Sequence, residues 1–461
     1  MPPHDLRAIF KAYDVRGVVP DDLDEDDARR IGASFAAWAD VATVAVGYDC
    51  RLSSPSLAEA VREGIVSQGA NVIDLGLAST DLLYFASGSL DVAGVMLTAS
   101  HNPPQYNGMK FCLPGARPVG EESGLGEILA GASRELASAA ARGSVERREL
   151  LDAYADHVLS FVDVETMRPL TVVADTANGM GGLVVPAVFD RLPVTLFHLF
   201  PDLDGTFPNH PADPIDPENQ VDVKREVLER HADLGLAFDG DADRVFVIDE
   251  RAEGVGGSEV TALVASALLD REPGATVVHN LITSWAVPEV IREHGGTPVR
   301  TRVGHSFIKQ VMADTGAIFG GEHSGHYYFR ENYRADSGLI AAVMVLEQLS
   351  LADRPLSEVL APFRRYRASG EINSRIADAA AKIEDIASAF GGGRQDRTDG
   401  LTVEFDDWWF NVRPSNTEPL LRLNVEARTD DLLREKVDAV LALIRSADAT
   451  QGAAATEGGA A

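Results

Sequence analysis

Cysteine is almost absent: 461 residues carry two, Cys50 and Cys112. Two such thiols offer no disulfide framework, so the fold must rest on its own core, and a reducing cytoplasm is the expected compartment. No charged segment followed by an apolar one opens the chain, and no apolar run has the length needed to cross a bilayer; Val260 to Leu269 is short and bordered by charge. Basic residues are in deficit too. The 41 Lys and Arg face 71 Asp and Glu, a formal charge of -30, which argues against nucleic acid or an anionic membrane as the main partner. Much of the acidity, as in Asp21 to Asp27, reads as solvated surface, and solubility in salt is expected. A Gly-x-x-x-x-Gly-Lys-Ser/Thr loop is missing, and no nucleotide fingerprint replaces it.

What remains is an ordinary globular composition, 45% hydrophobic and 24% charged, on a chain too long for one core. Three segments repeat one plan: Thr43–Gly47 to Ile73–Leu75, Thr171–Asp175 to Val194–Phe197, and Thr276–His279 to Pro298–Arg300. Each reads as strand, loop, helix, strand. The first strand of each is an unbroken β-branched run without polar alternation, as parallel strands covered on both faces are. The expected class is α/β, with three related α/β domains of mixed, mainly parallel sheets at residues 1–150, 151–253 and 254–365. The first boundary follows an alanine-rich stretch, Ile128 to Ala141, expected to be helical; the second follows a hairpin.

A fourth domain, residues 366–446, is expected to be α+β. It should hold a helix around Ile376 to Ala389, short strands at Leu401–Phe405 and Trp408–Val412, and a last helix with Leu433, Val437, Val440 or Leu441, and Ile444 on one face. Residues 447–461 have nothing to bury and should be disordered.

Four motifs carry chemistry. Ser100 follows the apolar run Val92 to Leu97 and precedes His101, Asn102 and two prolines, with Lys110 shortly after. A hydroxyl near an imidazole and an amine at the end of a buried strand is a candidate nucleophile, although an ordinary polar turn uses the same residues. Asp239, Asp241 and Asp243 alternate between two strand-like runs, with Arg244 next. Alternation turns three carboxylates to one side, where a hard cation such as Mg²⁺ would relieve their repulsion. An EF-hand is excluded, because Arg244 stands where its glycine is required and the flanks are strands.

Gly320 to His326 follows another apolar run, and Glu322 with Ser324 suits two neighbouring sugar hydroxyls. His323 and His326 lack the further ligands a zinc site needs. Arg413, Ser415, Asn416 and Thr417 make a phosphate cradle, or else a polar turn. Further cations occur at Lys11 and Arg16, around Tyr13, and at Arg302, His305 and Lys309; any of these alone would pass as surface. Together the pieces call for a hydroxyl nucleophile, a divalent cation, a polyol reader and a phosphate dock. With no nucleotide loop, the phosphoryl group comes from the sugar itself.

On four motifs in order, Thr98–Pro103, Asp239–Arg244, Gly321–His326 and Arg413–Pro419, the chain resembles the α-D-phosphohexomutase family, phosphomannomutase/phosphoglucomutase branch, over residues 7 to 445. The resemblance implies four domains around a central cleft, Ser100 carried as phosphoserine, and Mg²⁺ held by Asp239, Asp241, Asp243 and the serine phosphate. Glu322 and Ser324 would grip sugar hydroxyls, with His305, Arg244 and Tyr13 beside them, and Arg413, Ser415, Asn416 and Thr417 would dock phosphate. Arg16, His101 and Lys110 would neutralise the moving phosphoryl group, and Lys110 or His326 would act as acid or base.

The implied activity interconverts mannose 1-phosphate and mannose 6-phosphate through a hexose 1,6-bisphosphate that turns end for end and also serves as activator. Glucose phosphates are further implied substrates. A phosphoglucosamine mutase, a phosphosugar phosphatase and a non-catalytic sugar-phosphate-binding regulator are the alternatives. Asn416 resembles the hexose-phosphate branch and His323, between Glu322 and Ser324, resembles phosphomannomutases, whereas Ile282 stands where many bifunctional relatives place a lysine. The partners expected are small hexose phosphates, with no nucleic acid and no membrane, for a monomer or homodimer.

Overall fold

The β-branched runs become the inner strands of three sheets. A computed structural model describes residues 4–376, 378–414 and 420–446, apart from the side chain of His305. The chain divides into two units, Met1–Arg364 and Arg365–Ala461. Among the described residues the first unit holds sheets of seven, five and four strands.

The three sheets share a four-strand centre. In the first, Thr43–Tyr48 pairs in parallel with Asn71–Leu77 on one side and Ala93–Leu97 on the other, and Tyr106–Leu113 returns antiparallel beside Ala93–Leu97. In the second, Leu170–Asp175 takes the central place between Val194–Leu199 and Leu234–Phe238, with Val245–Asp249 antiparallel outside. The third repeats this with Thr276–Asn280, Thr297–Thr301, Phe319–Gly321 and Tyr327–Phe329. Ala93–Leu97 and Leu234–Phe238 are buried along their whole length, as strands covered on both faces must be. The repeat has a consequence for function: residues 98–105, 239–244 and 322–326 are the same hairpin loop in three copies of one topology.

The helix Gly338–Ala352 is apolar on every side, so it can only be a core element. Leu339, Val343, Leu346 and Leu349 are fully buried, in a cluster that also takes in Leu83, Val172, Val184 and Val264. Ser337 caps the helix by accepting from the Ile340 amide. The same serine donates from Oγ to Asp81 Oδ2 at 2.8 Å, while Tyr154 and Ser79 give their hydroxyls to the same carboxylate. Two helix starts and a tyrosine within a third helix, from far-apart parts of the chain, thus converge on one buried acid.

The alanine-rich stretch departs from expectation. Its helix spans Leu125–Ala132 and stops at Ser133 rather than running to Ala141. Beyond it the backbone finds partners elsewhere: the Ala139 and Gly143 amides donate to Ser67 and Val66, at the end of the helix Ser54–Ser67. A side chain at Gly143 would lie 1.8 Å from the Ala70 carbonyl. Tertiary hydrogen bonds override the propensity of a short exposed alanine run.

In the second unit an antiparallel sheet runs Arg367–Arg375, Leu420–Ala427, Trp408–Pro414, Leu401–Glu404, Arg394–Asp396. Its first and last strands were not legible in the sequence. The helix expected from Ile376 begins at Ala379, capped by Asp378, and the last helix, Asp430–Arg445, buries Val440 and Ile444. The tail expected to be disordered, 447–461, lies outside the described residues. Among the described residues no helix is long and apolar enough to cross a membrane.

Two stability outcomes follow. Leu346→Ala empties a fully buried site and should cost about 2–5 kcal/mol in urea unfolding. Burial pushes the Asp81 carboxyl up to about 6 against the three hydroxyls that lower it. A raised folded pKa gives stability that is full below the unfolded value of 3.8 and lost as pH rises through about 6. Asp81→Asn should therefore flatten the profile, gaining up to roughly 3 kcal/mol relative to wild type between pH 4 and pH 7.5, read as unfolding free energies at the two pH values.

Candidate active site

The first hairpin loop presents Ser100 at the end of the Ala93–Leu97 strand. Thr98 Oγ1 accepts from the Ser100 amide at 2.9 Å, and Ser100 takes a left-handed φ of +50°. The residue is 4% exposed, so its hydroxyl faces protein rather than solvent. Ser100 Oγ donates to Asp239 Oδ2 at 2.8 Å and accepts from Arg244 Nη2 at 2.7 Å; His101 Nδ1 lies 3.2 Å away. Ser100 and His101, expected to face one crevice with Lys110, are brought together with Arg244.

The second loop brings Asp239, Asp241 and Asp243 together, each with a ligand oxygen within 4.8 Å of the others, and all three are buried. Gly240 fits because a Cβ there would meet the Ser100 carbonyl oxygen at 2.5 Å. Lys110 Nζ bridges Asp241 Oδ2 at 2.7 Å and Asp243 Oδ2 at 2.6 Å. Thr80, at a helix start in the first sheet's neighbourhood, donates from Oγ1 to Asp241 Oδ2 at 2.5 Å. Burial lowers the Lys110 pKa, but the charges of Asp241 and Asp243 outweigh it and hold the amine well above its ordinary value. Burial raises Asp241, and Lys110 more than reverses this, leaving it below the usual carboxylate range. For Asp239 burial wins over Arg244, and the carboxyl is raised.

One lysine and one arginine therefore do not fully compensate three buried acids. Asp241 Oδ1 and Asp243 Oδ1 are buried and accept no hydrogen bond. Two orphaned carboxylate oxygens facing a third acid fit a hard divalent cation. Burial, and then the charges of Arg244 and Arg16, hold the His101 imidazole well below its ordinary pKa, so it is neutral.

In the third loop the two groups expected to suit sugar hydroxyls, Glu322 and Ser324, have protein partners. Glu322 is buried; Oε1 accepts from Asn280 Nδ2 at 3.1 Å and from the Gly304 amide at 3.2 Å, and Oε2 from the Tyr328 hydroxyl at 2.8 Å. Ser324 Oγ pairs with His326 Nδ1 at 3.2 Å. His326 Nε2 lies 3.9 Å from both Asp243 Oδ1 and Asp336 Oδ2, which brings this loop to the edge of the acidic one.

Among the remaining cations, Arg16 Nη1 donates to Asn102 Oδ1 at 2.5 Å and its other nitrogen pairs with Asp14. Lys309 is buried and ion-paired to Asp336 at 2.8 Å, with its amine 4.0 Å from the Tyr84 ring centroid, so it is a structural cation. Arg302 stacks on Phe307, and the Tyr13 hydroxyl reaches the Val303 carbonyl at 3.5 Å. Lys11 caps its own turn at the Ala8 carbonyl. The side chain of His305 lies outside the described residues, as do Ser415, Asn416 and Thr417. In the second unit Arg413 is 8% exposed and donates to Glu371 Oε2 at 2.7 Å. Ile282 is buried and offers no charge to a ligand.

Sequence reasoning missed Thr80 and Asp336. Nothing local in the sequence marks either residue's partner, which lies far along the chain.

A phosphorylatable hydroxyl, a cation loop and an imidazole loop supplied by equivalent hairpins of three α/β domains are the equipment of an intramolecular phosphotransferase, an isomerase. More narrowly, the chain belongs to the phosphoglucomutase/phosphomannomutase family. Models of that family's alpha/beta/alpha domains I, II and III match residues 7–137, 152–256 and 256–366, and its C-terminal domain matches 371–443. Xanthomonas campestris "Phosphohexose mutases" are 43% identical over 92% of this chain and 96% of theirs. The "Phosphomannomutase" of Salmonella montevideo is 41% identical over 95% and 99%. A Burkholderia thailandensis phosphoglucomutase/phosphomannomutase family protein of known crystal structure superposes with a TM-score of 0.85 at 33% identity, over 95% of this chain and 97% of that one.

Lys110→Met leaves Asp241 and Asp243 without their shared cation. The metal-free variant should lose about 3 kcal/mol, and millimolar MgCl₂ should restore more of its melting temperature than it adds to wild type in a thermal scan.

Proposed function

We propose that this chain is a phosphomannomutase that also accepts glucose phosphates, built from four domains divided near residues 150, 253 and 365. The observation that carries the reading is the position of Ser100 Oγ, between Asp239 Oδ2 at 2.8 Å and Arg244 Nη2 at 2.7 Å, where the loops of the first two domains meet. The relatives called phosphomannomutase support the substrate class.

Asp239, Asp241, Asp243 and the phosphate on Ser100 would hold Mg²⁺, which when bound sets positive charge against the phosphoryl oxygens. Arg244, already on Ser100 Oγ, and Arg16, beside Asn102, add fixed cationic donors there. His101, neutral and with Nδ1 3.2 Å from Ser100 Oγ, is placed to pass a proton to that oxygen or take one from it. In the forward step the Ser100 Oγ–P bond breaks as a free sugar hydroxyl oxygen bonds phosphorus; His326 Nε2 takes that hydroxyl's proton, and the departing Oγ, held by Arg244 Nη2, receives a proton through His101 Nδ1. Lys110, committed to two carboxylates, serves as a cation rather than as the base. The resulting hexose 1,6-bisphosphate turns over, returns its other phosphoryl group to Ser100, and leaves as the isomeric monophosphate. Arg413, Ser415, Asn416 and Thr417 would hold whichever phosphate is idle, with Glu322, Ser324, His305 and Tyr13 on the sugar.

Mannose 1-phosphate incubated with Mg²⁺ and a trace of glucose 1,6-bisphosphate should yield mannose 6-phosphate. Free phosphate in its place would indicate a phosphatase, and no conversion a binding protein. Ser100→Ala should lower turnover at least about a thousand-fold, and wild-type turnover in that variant would remove the phosphoserine route. Parallel rates on glucose and glucosamine 1-phosphates define the substrate range.

A further inference from the structure

Arg51 is the largest fully buried side chain among the described residues, with none of its surface in solvent. A guanidinium so placed must give all its N–H donors to protein acceptors or lose several kcal/mol. The residue lies just beyond the Thr43–Tyr48 strand, at the carboxyl end of the sheet's inner strands where the Ser100 loop also emerges. Nε donates to Asp49 Oδ2 at 3.1 Å. The other donors go to main chain: Nη1 to the carbonyls of Pro103 at 2.7 Å and Tyr106 at 3.0 Å, Nη2 to those of Ser100 at 2.8 Å and Asn102 at 2.7 Å. Four bonds thus end on backbone oxygens between Ser100 and Tyr106, and one of those oxygens belongs to the serine itself.

The fork is held from behind. Asp49 is buried and accepts from Ser54 Oγ at 2.5 Å and from the Arg51 amide at 3.0 Å. The second domain closes the far side: Phe207 lies 5.1 Å from the guanidinium carbon, and Gly205 passes so close that a Cβ would sit 2.4 Å from Arg51 Cα. Ser100 meanwhile holds a φ of +50°, a conformation costing a non-glycine residue about 1 kcal/mol or more, and its carbonyl is wedged between Arg51 and Gly240.

We infer that Arg51 is a positioning residue for phosphoryl transfer: it clamps the Ser100–Tyr106 turn so that Oγ stays between Asp239 and Arg244. This rests on the mutase reading above. Its force comes from the use of Ser100 twice per turnover, once giving and once receiving the phosphoryl group, so that a displaced Oγ slows both transfers. Arg51 meets no sugar in this arrangement, which places the effect in kcat. Lysine cannot replace it, because one ammonium lacks the flat fork that spans four carbonyls.

Arg51→Lys and Arg51→Ala test this through kcat, KM, calorimetric Mg²⁺ titration, and the single-turnover rate at which glucose 1,6-bisphosphate loads phosphate on Ser100, read by mass spectrometry. Folded Arg51→Lys should lose about 100-fold in kcat and loading rate with KM within about threefold and Mg²⁺ affinity unchanged, and Arg51→Ala should lose more. Should both unfold, Asp49→Asn keeps the fork but loosens its anchor, and about a tenfold loss in kcat at unchanged KM is expected. Wild-type kcat in folded Arg51→Lys, a rise in KM alone, or, where only it folds, wild-type kcat in Asp49→Asn overturns the clamp. A wild-type protein that interconverts no hexose phosphate overturns the mutase reading instead, and the Ser100 loading rate still reads the clamp.

Discussion

Three buried carboxylates in one loop are the constraint on which the site depends. Asp239, Asp241 and Asp243 have no water to share their charge, and their own strand hairpin supplies only Arg244. The remaining compensation arrives from the first domain, as the Lys110 ammonium and the hydroxyls of Thr80 and Ser100. Docking the first two domains and neutralising the acidic loop are therefore one event. Two carboxylate oxygens stay without hydrogen bonds even then, a residual deficit that a bound cation would relieve.

Repetition of a topology explains how a serine, an aspartate triad and an imidazole reach one another. Each sheet sends its third parallel strand into a hairpin, and each hairpin loop lies at the strand's carboxyl end, where open α/β sheets leave a crevice. The strands are rigid because they are buried on both faces, so the loops they carry are held at fixed spacing. Gly240 allows the serine loop and the acidic loop to touch; a larger residue would meet the Ser100 carbonyl. Asp81 does for the scaffold what Lys110 does for the site, gathering hydroxyls from separate helices around one buried acid.

The motifs were legible because their chemistry is local. A serine after a buried run, alternating aspartates and a glycine-rich loop with Glu322 and His326 each announce a role through spacing alone, and the repeated β-branched runs announce three α/β domains. Where the reading failed, distant contacts had intervened. The alanines after Ser133 bond to the end of another helix instead of to themselves, and Lys309, which reads as a free cation, is buried against Asp336 and Tyr84. The hydrogen bonds that orient Glu322, from Asn280, the Gly304 amide and Tyr328, likewise come from distant segments.

Sequence by itself determined the class of fold, the candidate nucleophile, the acidic loop and the family, since each depends on residue type and short-range order. Tertiary structure alone decided which charges compensate which acids, that Thr80 supports Asp241, and that Arg51 carries the turn holding Ser100. The physical reason is that hydrogen bonds and ion pairs between distant segments have no period in the chain; they exist only once burial removes water and obliges every polar group to find a partner.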